Sequence, residues 1–188
     1  MSDDGKPGRP RILMVGRTRY SLPLPDWLGR KFDALERVPE AELTIIGDGP
    51  DRDRLERHAR AAGLEGRVHF VGSLPRDQVL DALARAQAAV LSSDWENFPH
   101  AAVEALALGT PLVATAVGGV GEIVVDGQNG LLVPPGSPQA FGDALRRLLA
   151  SEELQARLSR QARESVAELD AERIYGRIAE LLEATQRP

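Results

Sequence analysis

Six short apolar runs punctuate this chain: Ile12 to Val15, Leu43 to Ile46, Val68 to Val71, Ala88 to Leu91, Leu112 to Thr115 and Leu131 to Val133. They are apolar at nearly every position, the pattern of strands covered on both faces rather than wetted on one. Between them apolar residues return every three or four positions, as at Leu28, Phe32 and Leu35; Leu55, Ala59 and Ala62; Val79, Leu83 and Ala86; and Val103, Leu106 and Ala107. That spacing predicts helices with one buried stripe. Pro75 falls at a first helical turn, and Gly63 and Gly109 fall at helix ends. The alternation predicts an α/β fold: a single Rossmann-like domain with a mainly parallel, twisted sheet of about six strands and helices on both faces.

After Val133 the pattern becomes helical throughout. Ser137-Pro138 opens a helix marked by Phe141, Leu145, Leu148 and Leu149. Leu154, Leu158, Ala162 and Val166 mark a second, and Ile174, Ile178, Leu181 and Leu182 a third. These C-terminal helices are expected to pack on the sheet edge or reach toward another domain. The expected division is a disordered polar leader over 1–10, a Rossmann-like domain over 11–170 and a C-terminal helix over 171–188.

Composition removes several function classes. The 188 residues suit one domain, and 43% hydrophobic content is ordinary for a globular chain. No apolar run approaches a membrane span, and the first residues lack the basic start and apolar middle of a signal peptide. With no cysteine there are no disulfides or thiolate metal sites, so a cytoplasmic location is expected. A net charge of −5 argues against a nucleic-acid partner. Gly47-x-Gly49-Pro50 lacks the third glycine of a dinucleotide fingerprint, and no acid follows the next strand suitably, so that cofactor is not expected.

The chemistry concentrates in Ser92-Ser93-Asp94-Trp95-Glu96-Asn97-Phe98-Pro99-His100-Ala101-Ala102-Val103-Glu104, on the way to Gly109. Glu96 lies in a loop after an apolar strand, and Glu104 lies on the helix that follows. The start of that helix offers unpaired N–H groups and a positive dipole end, a place for phosphate. Carboxylates cannot bind phosphate, but they accept hydrogen bonds from sugar hydroxyls. An anion site flanked by two such acceptors describes a nucleotide-sugar pocket.

The two glutamates resemble the Glu-x7-Glu motif of glycosyltransferase family 4, retaining enzymes of the GT-B fold. The resemblance extends through Thr110 to Thr115, Gly118-Gly119-Val120-Gly121-Glu122 and Asp126 to Gly136. Upstream it includes Leu43 to Pro50 and Val68-His69-Phe70-Val71-Gly72, so it covers roughly residues 40–150 with its motifs in order. It implies the donor-binding half of such an enzyme, taking a nucleoside-diphosphate sugar with no metal or other cofactor. The resemblance makes Glu96 the catalytic-site acid beside the donor sugar and Glu104 the acceptor for ribose hydroxyls. It places Arg17 and the N–H groups of His100 and Ala101 at the diphosphate. Asn97 and Phe98 form the turn into the helix, and Phe70 and Gly72 let a base edge approach. Gly47, Gly49, Gly118, Gly119 and Glu122 complete the donor-binding set, although a flexible turn explains the Gly118–Gly119 pair as readily.

The opening departs from the family. Val15-Gly16-Arg17 matches, but Thr18 to Pro25 follows where a Lys-Gly loop is usual, with Arg19 a substitute cation and Lys31 too late. The first ~35 residues look more like the start of the family's acceptor-side domain. A full enzyme needs two such domains, so glycosyl transfer is implied by resemblance while the isolated chain is expected to be incomplete. The apolar stripe of the third C-terminal helix then meets either its own domain, a second copy or a missing acceptor domain. The reading from another class is a noncatalytic, shortened or engineered module that binds nucleotide weakly or serves as a structural partner. A nucleotide-sugar epimerase of similar fold ranks third.

Overall fold

A computed structural model describes residues 9–15 and 32–167. Residues 1–8 of the leader expected over 1–10, Arg17, Arg19, Lys31 and the helix expected over 171–188 lie outside the described residues. The six anticipated runs form β1 (Arg11–Val15), β2 (Glu42–Ile46), β3 (Val68–Gly72), β4 (Ala88–Leu91), β5 (Leu112–Thr115) and β6 (Leu131–Val133). They make one six-stranded sheet in the order β3-β2-β1-β4-β5-β6. Every pairing is parallel, so the sheet is wholly rather than mainly parallel. The helices are α1 (Asp33–Glu36), α2 (Arg52–Ala61), α3 (Arg76–Arg85), α4 (His100–Leu108), α5 (Val120–Ile123), α6 (Pro138–Leu149) and α7 (Glu152–Val166).

Successive strand residues point to opposite faces, and the interior divides accordingly. Ile12, Leu43, Ile45, Val90 and Val113 build a first core with Leu35 of α1, Leu55 and Ala59 of α2, and Phe141, Leu145 and Leu148 of α6. Their neighbours Leu13, Ile46, Ala89, Leu91, Leu112 and Ala114 build a second core with Leu83 of α3, Ala102, Ala105 and Leu106 of α4, and Val120 and Ile123 of α5. Both faces of the central β4 and β5 are buried along their whole length, which is why these runs carry no polar alternation. Each buried Leu or Ile contributes roughly 1.5–3 kcal/mol by leaving water.

α7 joins the two halves. Its Leu154 and Leu158 enter the first core, while Ala162 and Val166 enter the second. The Ser151 hydroxyl caps its start by accepting from the Leu154 N–H at 3.2 Å, as Ser137 does for α6 by accepting from Ala140. Farther along, the Arg163 guanidinium donates to the Leu108 carbonyl at 2.9 Å and so closes the end of α4. Gly109 takes the left-handed turn there, with φ 72°, and a Cβ on it would lie 2.6 Å from Arg163 Nε. The backbone therefore favours glycine there, and a Cβ would also push the Arg163 guanidinium aside.

Arg67 braces the other side. It donates to the carbonyls of Leu35, Val38 and Ala41 at 2.6–3.0 Å, satisfying the chain that leaves α1. Burial lowers its pKa from the ordinary arginine value, and three carbonyl acceptors are well matched to a guanidinium fork.

Candidate functional site

Strand order reverses between β1 and β4. In an open parallel sheet that reversal leaves a crevice beyond the strands' carboxyl ends. Because all six strands run the same way, the segments after β2 (Gly47–Pro50), β3 (Ser73–Pro75), β4 (Ser92–Pro99) and β5 (Ala116–Gly119) emerge on one rim.

The loop carrying Glu96 is pinned by its backbone. Gly119 N–H donates to the Glu96 carbonyl at 2.9 Å. A Cβ on Gly118 would stand 2.0 Å from that same oxygen, and one on Gly119 would stand 1.9 Å from the Asn97 carbonyl. The glycine pair is thus a seat for the Glu96–Asn97 backbone. On the side-chain level, Ser93 Oγ donates to Glu96 Oε1 at 2.6 Å, and Thr115 Oγ1 donates to the Ser93 carbonyl. The ends of β4 and β5 therefore meet around Glu96, which stays partly exposed.

At the start of α4, Pro99 occupies the cap position and no side chain caps the helix. The His100 N–H donates back to Phe98 O at 3.0 Å, and those of Ala102 and Val103 donate to Pro99 O. Ala101 alone of the expected pair thus keeps its N–H open, because the turn at Pro99 directs the His100 N–H onto Phe98 O. The His100 ring sits edge-on to Phe98 with centroids 5.2 Å apart. Phe98 is 46% exposed and Trp95 74% exposed, so two aromatic faces stand in solvent beside Glu96.

Glu104 lies one face further along α4. Its Oε1 meets Arg76 Nη2, on the first turn of α3, at 3.1 Å. Across the rim, Gly47 N–H donates to the Gly72 carbonyl at 2.8 Å, joining the ends of β2 and β3. Arg52 donates to the Phe70 carbonyl at 3.1 Å, and its hydrogen bond to Glu56 raises its pKa. The Gly49 N–H is turned onto Asp48 Oδ1 at 2.8 Å. Glu122 is exposed on α5. The structure thus groups Glu96 and Asn97 with Gly118 and Gly119, Phe98 with His100, and Gly47 with Phe70 and Gly72.

A cavity of about 70 Å³ reaches the same rim from the first-core face of the sheet, lined by Met14, Phe32, Leu55 and Phe141 with Ser92, Asp94 and Thr115 at its polar side. Its walls belong to the first core, whereas α4 packs on the second, and apolar walls do not suit a diphosphate. Among the described residues no group of three acidic, His or Cys side chains is arranged to hold a metal, and no helix is long and apolar enough to cross a membrane.

Three participants escaped sequence reasoning. Ser93 has a readable signal, since Ser-x-x-Glu spacing favours such a local bond. Thr115 and Arg76 have none, because their partners lie on other elements.

Residues 3–165 match the model of the family described as glycosyl transferases group 1. A glycogen synthase of Mycobacterium tuberculosis is 36% identical over 157 residues, covering 84% of this chain and 38% of that protein. Sucrose-phosphate synthase from Thermosynechococcus elongatus superposes with a TM-score of 0.84 at 30% identity, over 94% of this chain and 45% of that one. Alr3699/HepE of Anabaena, solved in complex with UDP, superposes with a TM-score of 0.79 at 27% identity, over 93% and 48%. The same protein has been solved with UDP-glucose. The chain therefore spans about two fifths to one half of the length of these relatives.

Proposed function

This chain belongs to the glycosyl transferases group 1 family, and from that premise we propose that it is a nucleotide-sugar donor-binding domain serving glycosyl transfer with retention. The observation that carries the reading is the rim around α4. Glu96 is held with its carboxylate beside Ser93, the Ala101 N–H is open at the helix start, and Glu104 follows on the same helix. In this reading Glu104 accepts from the ribose diol, Glu96 stands at the donor sugar, and the helix start and Arg17 take the diphosphate. The backbone at Phe70 and Gly72 faces the base, while Gly118 and Gly119 act by seating Glu96.

Neither glutamate need transfer a proton. Positive charge at the departing diphosphate lowers the barrier by stabilising charge that develops in the transition state. Acceptor alignment and water exclusion come from closure against a second domain, which makes an acceptor-binding domain or another copy the expected partner. A cysteine-free, acidic chain suits a cytoplasmic reaction on a charged donor.

Calorimetric titration with UDP, GDP and ADP, each alone and carrying a sugar, tests this. Saturable binding of one nucleotide, strengthened or retained with sugar attached, is expected; a folded chain that binds none overturns it. The absent Lys-Gly loop favours a second reading, a module that binds nucleotide weakly without catalysis. Turnover by the purified chain at about 1 per second or more, ordinary for enzymes, would exclude that reading and also the expectation of an incomplete enzyme.

A further inference from the structure

We infer that Arg76 is a positioning residue for the nucleotide ribose, acting through Glu104; the inference rests on the donor-binding reading and goes beyond it. Arg76 opens α3 four residues after Gly72, so it stands on the segment that leaves β3. Its Nη2 reaches Glu104 Oε1 at 3.1 Å. Among the described residues that ion pair is the one polar contact to the Glu104 side chain, and Oε2 is left to accept from a ligand.

The burial of the two partners separates their roles. The Glu104 side chain is 25% exposed and Arg76 79% exposed. A pair with so solvated a partner contributes little to folding, so its consequence lies elsewhere. A glutamate has several rotamers to lose on binding, and a carboxylate already oriented loses fewer. The guanidinium also offsets the repulsion that Glu104 would exert on an approaching diphosphate. One nitrogen on one oxygen orients the carboxylate without consuming its capacity to accept from vicinal hydroxyls.

The experiment uses the tightest binder among UDP, GDP and ADP, and its 2′,3′-dideoxy counterpart, titrated into wild type, Arg76→Ala, Arg76→Lys, Glu104→Ala and the double variant. Contacting residues couple strongly enough that Arg76→Ala is expected to weaken the ribonucleotide about 3- to 10-fold. Arg76→Lys should recover most of that loss. In the Glu104→Ala background Arg76→Ala should add nothing, and the dideoxynucleotide should not register it. Thermal melts of all variants should coincide with wild type, because the pair is solvated. Equal affinity of Arg76→Ala and wild type, or an equal loss with Glu104 already removed, overturns the inference while leaving the donor-binding reading standing. A Glu104→Ala variant that binds as wild type does also overturns the inference, by removing Glu104 from the ribose, whereas a wild type that binds no nucleotide overturns both.

Discussion

The turn Val124–Gly130 and the loop Ser92–Pro99 both carry motifs of the same family, yet they use their polar groups in opposite ways. In the turn, Asn129 is 1% exposed and accepts from Val125 N–H at 2.7 Å while donating to Ile123 O and Ser165 Oγ, both at 2.8 Å. Asp126 accepts from Leu132 N–H, and Arg157 of α7 donates to Gly127 O. These polar groups are turned inward or toward α7, so this motif is structural. In the loop, backbone contacts hold the chain while Glu96, Trp95 and Phe98 keep accessible surface. Polar groups satisfied by the fold build it; groups positioned but unsatisfied are available to a ligand.

Four substitutions would break or sharpen that contrast. The largest effect is expected at Asn129→Ala, which orphans a buried carbonyl and N–H and removes the tie to α7; about 4 kcal/mol of stability should be lost by chemical denaturation. A loss below about 1 kcal/mol would show the turn to be less structural than its bonds imply. Next comes Gly118→Ala, whose Cβ has no room against the Glu96 carbonyl and whose φ of 45° suits glycine. Roughly 3 kcal/mol of destabilisation is expected, together with weakened nucleotide binding as the Glu96 loop is displaced. If the variant melts as wild type does, the glycine seat is misread.

Glu104→Ala should divide the two kinds of readout. Nucleotide affinity should fall by about 2 kcal/mol with removal of a charged acceptor, while the melting curve stays in place because its partner Arg76 is solvated. Calorimetry and thermal melting on the same samples check both halves. The smallest effect is expected at Trp95→Ala, where a 74% exposed ring has little packing to lose; stability should move by no more than about 0.5 kcal/mol. A larger shift in a denaturation curve would mean the loop is held by its aromatics rather than by its backbone.

Much of the fold was legible before any coordinates. All six strands stand where the apolar runs placed them, three of them residue for residue, at Ala88–Leu91, Leu112–Thr115 and Leu131–Val133. Gly109 and Ser137 end and start helices as their chemistry requires. The site was legible as a segment but not as an arrangement. Sequence could not say that His100 turns its N–H onto Phe98, that Gly118 and Gly119 lie against Glu96 and Asn97, or that Arg76 reaches Glu104. Each of the last two contacts joins loops or helices that follow different strands, so it depends on strand order rather than on spacing along the chain.

By itself, then, the sequence determined the elements, their buried faces and the family. Burial imposes a period of two or near 3.6 on any chain that must hide apolar surface on one side, and that period is readable locally. Tertiary structure alone decided the split into two cores bridged by α7, and the neighbours of each acidic side chain on the rim. Those depend on which strand pairs with which, a global outcome in which Leu154 and Val166 of one helix come to lie in different cores.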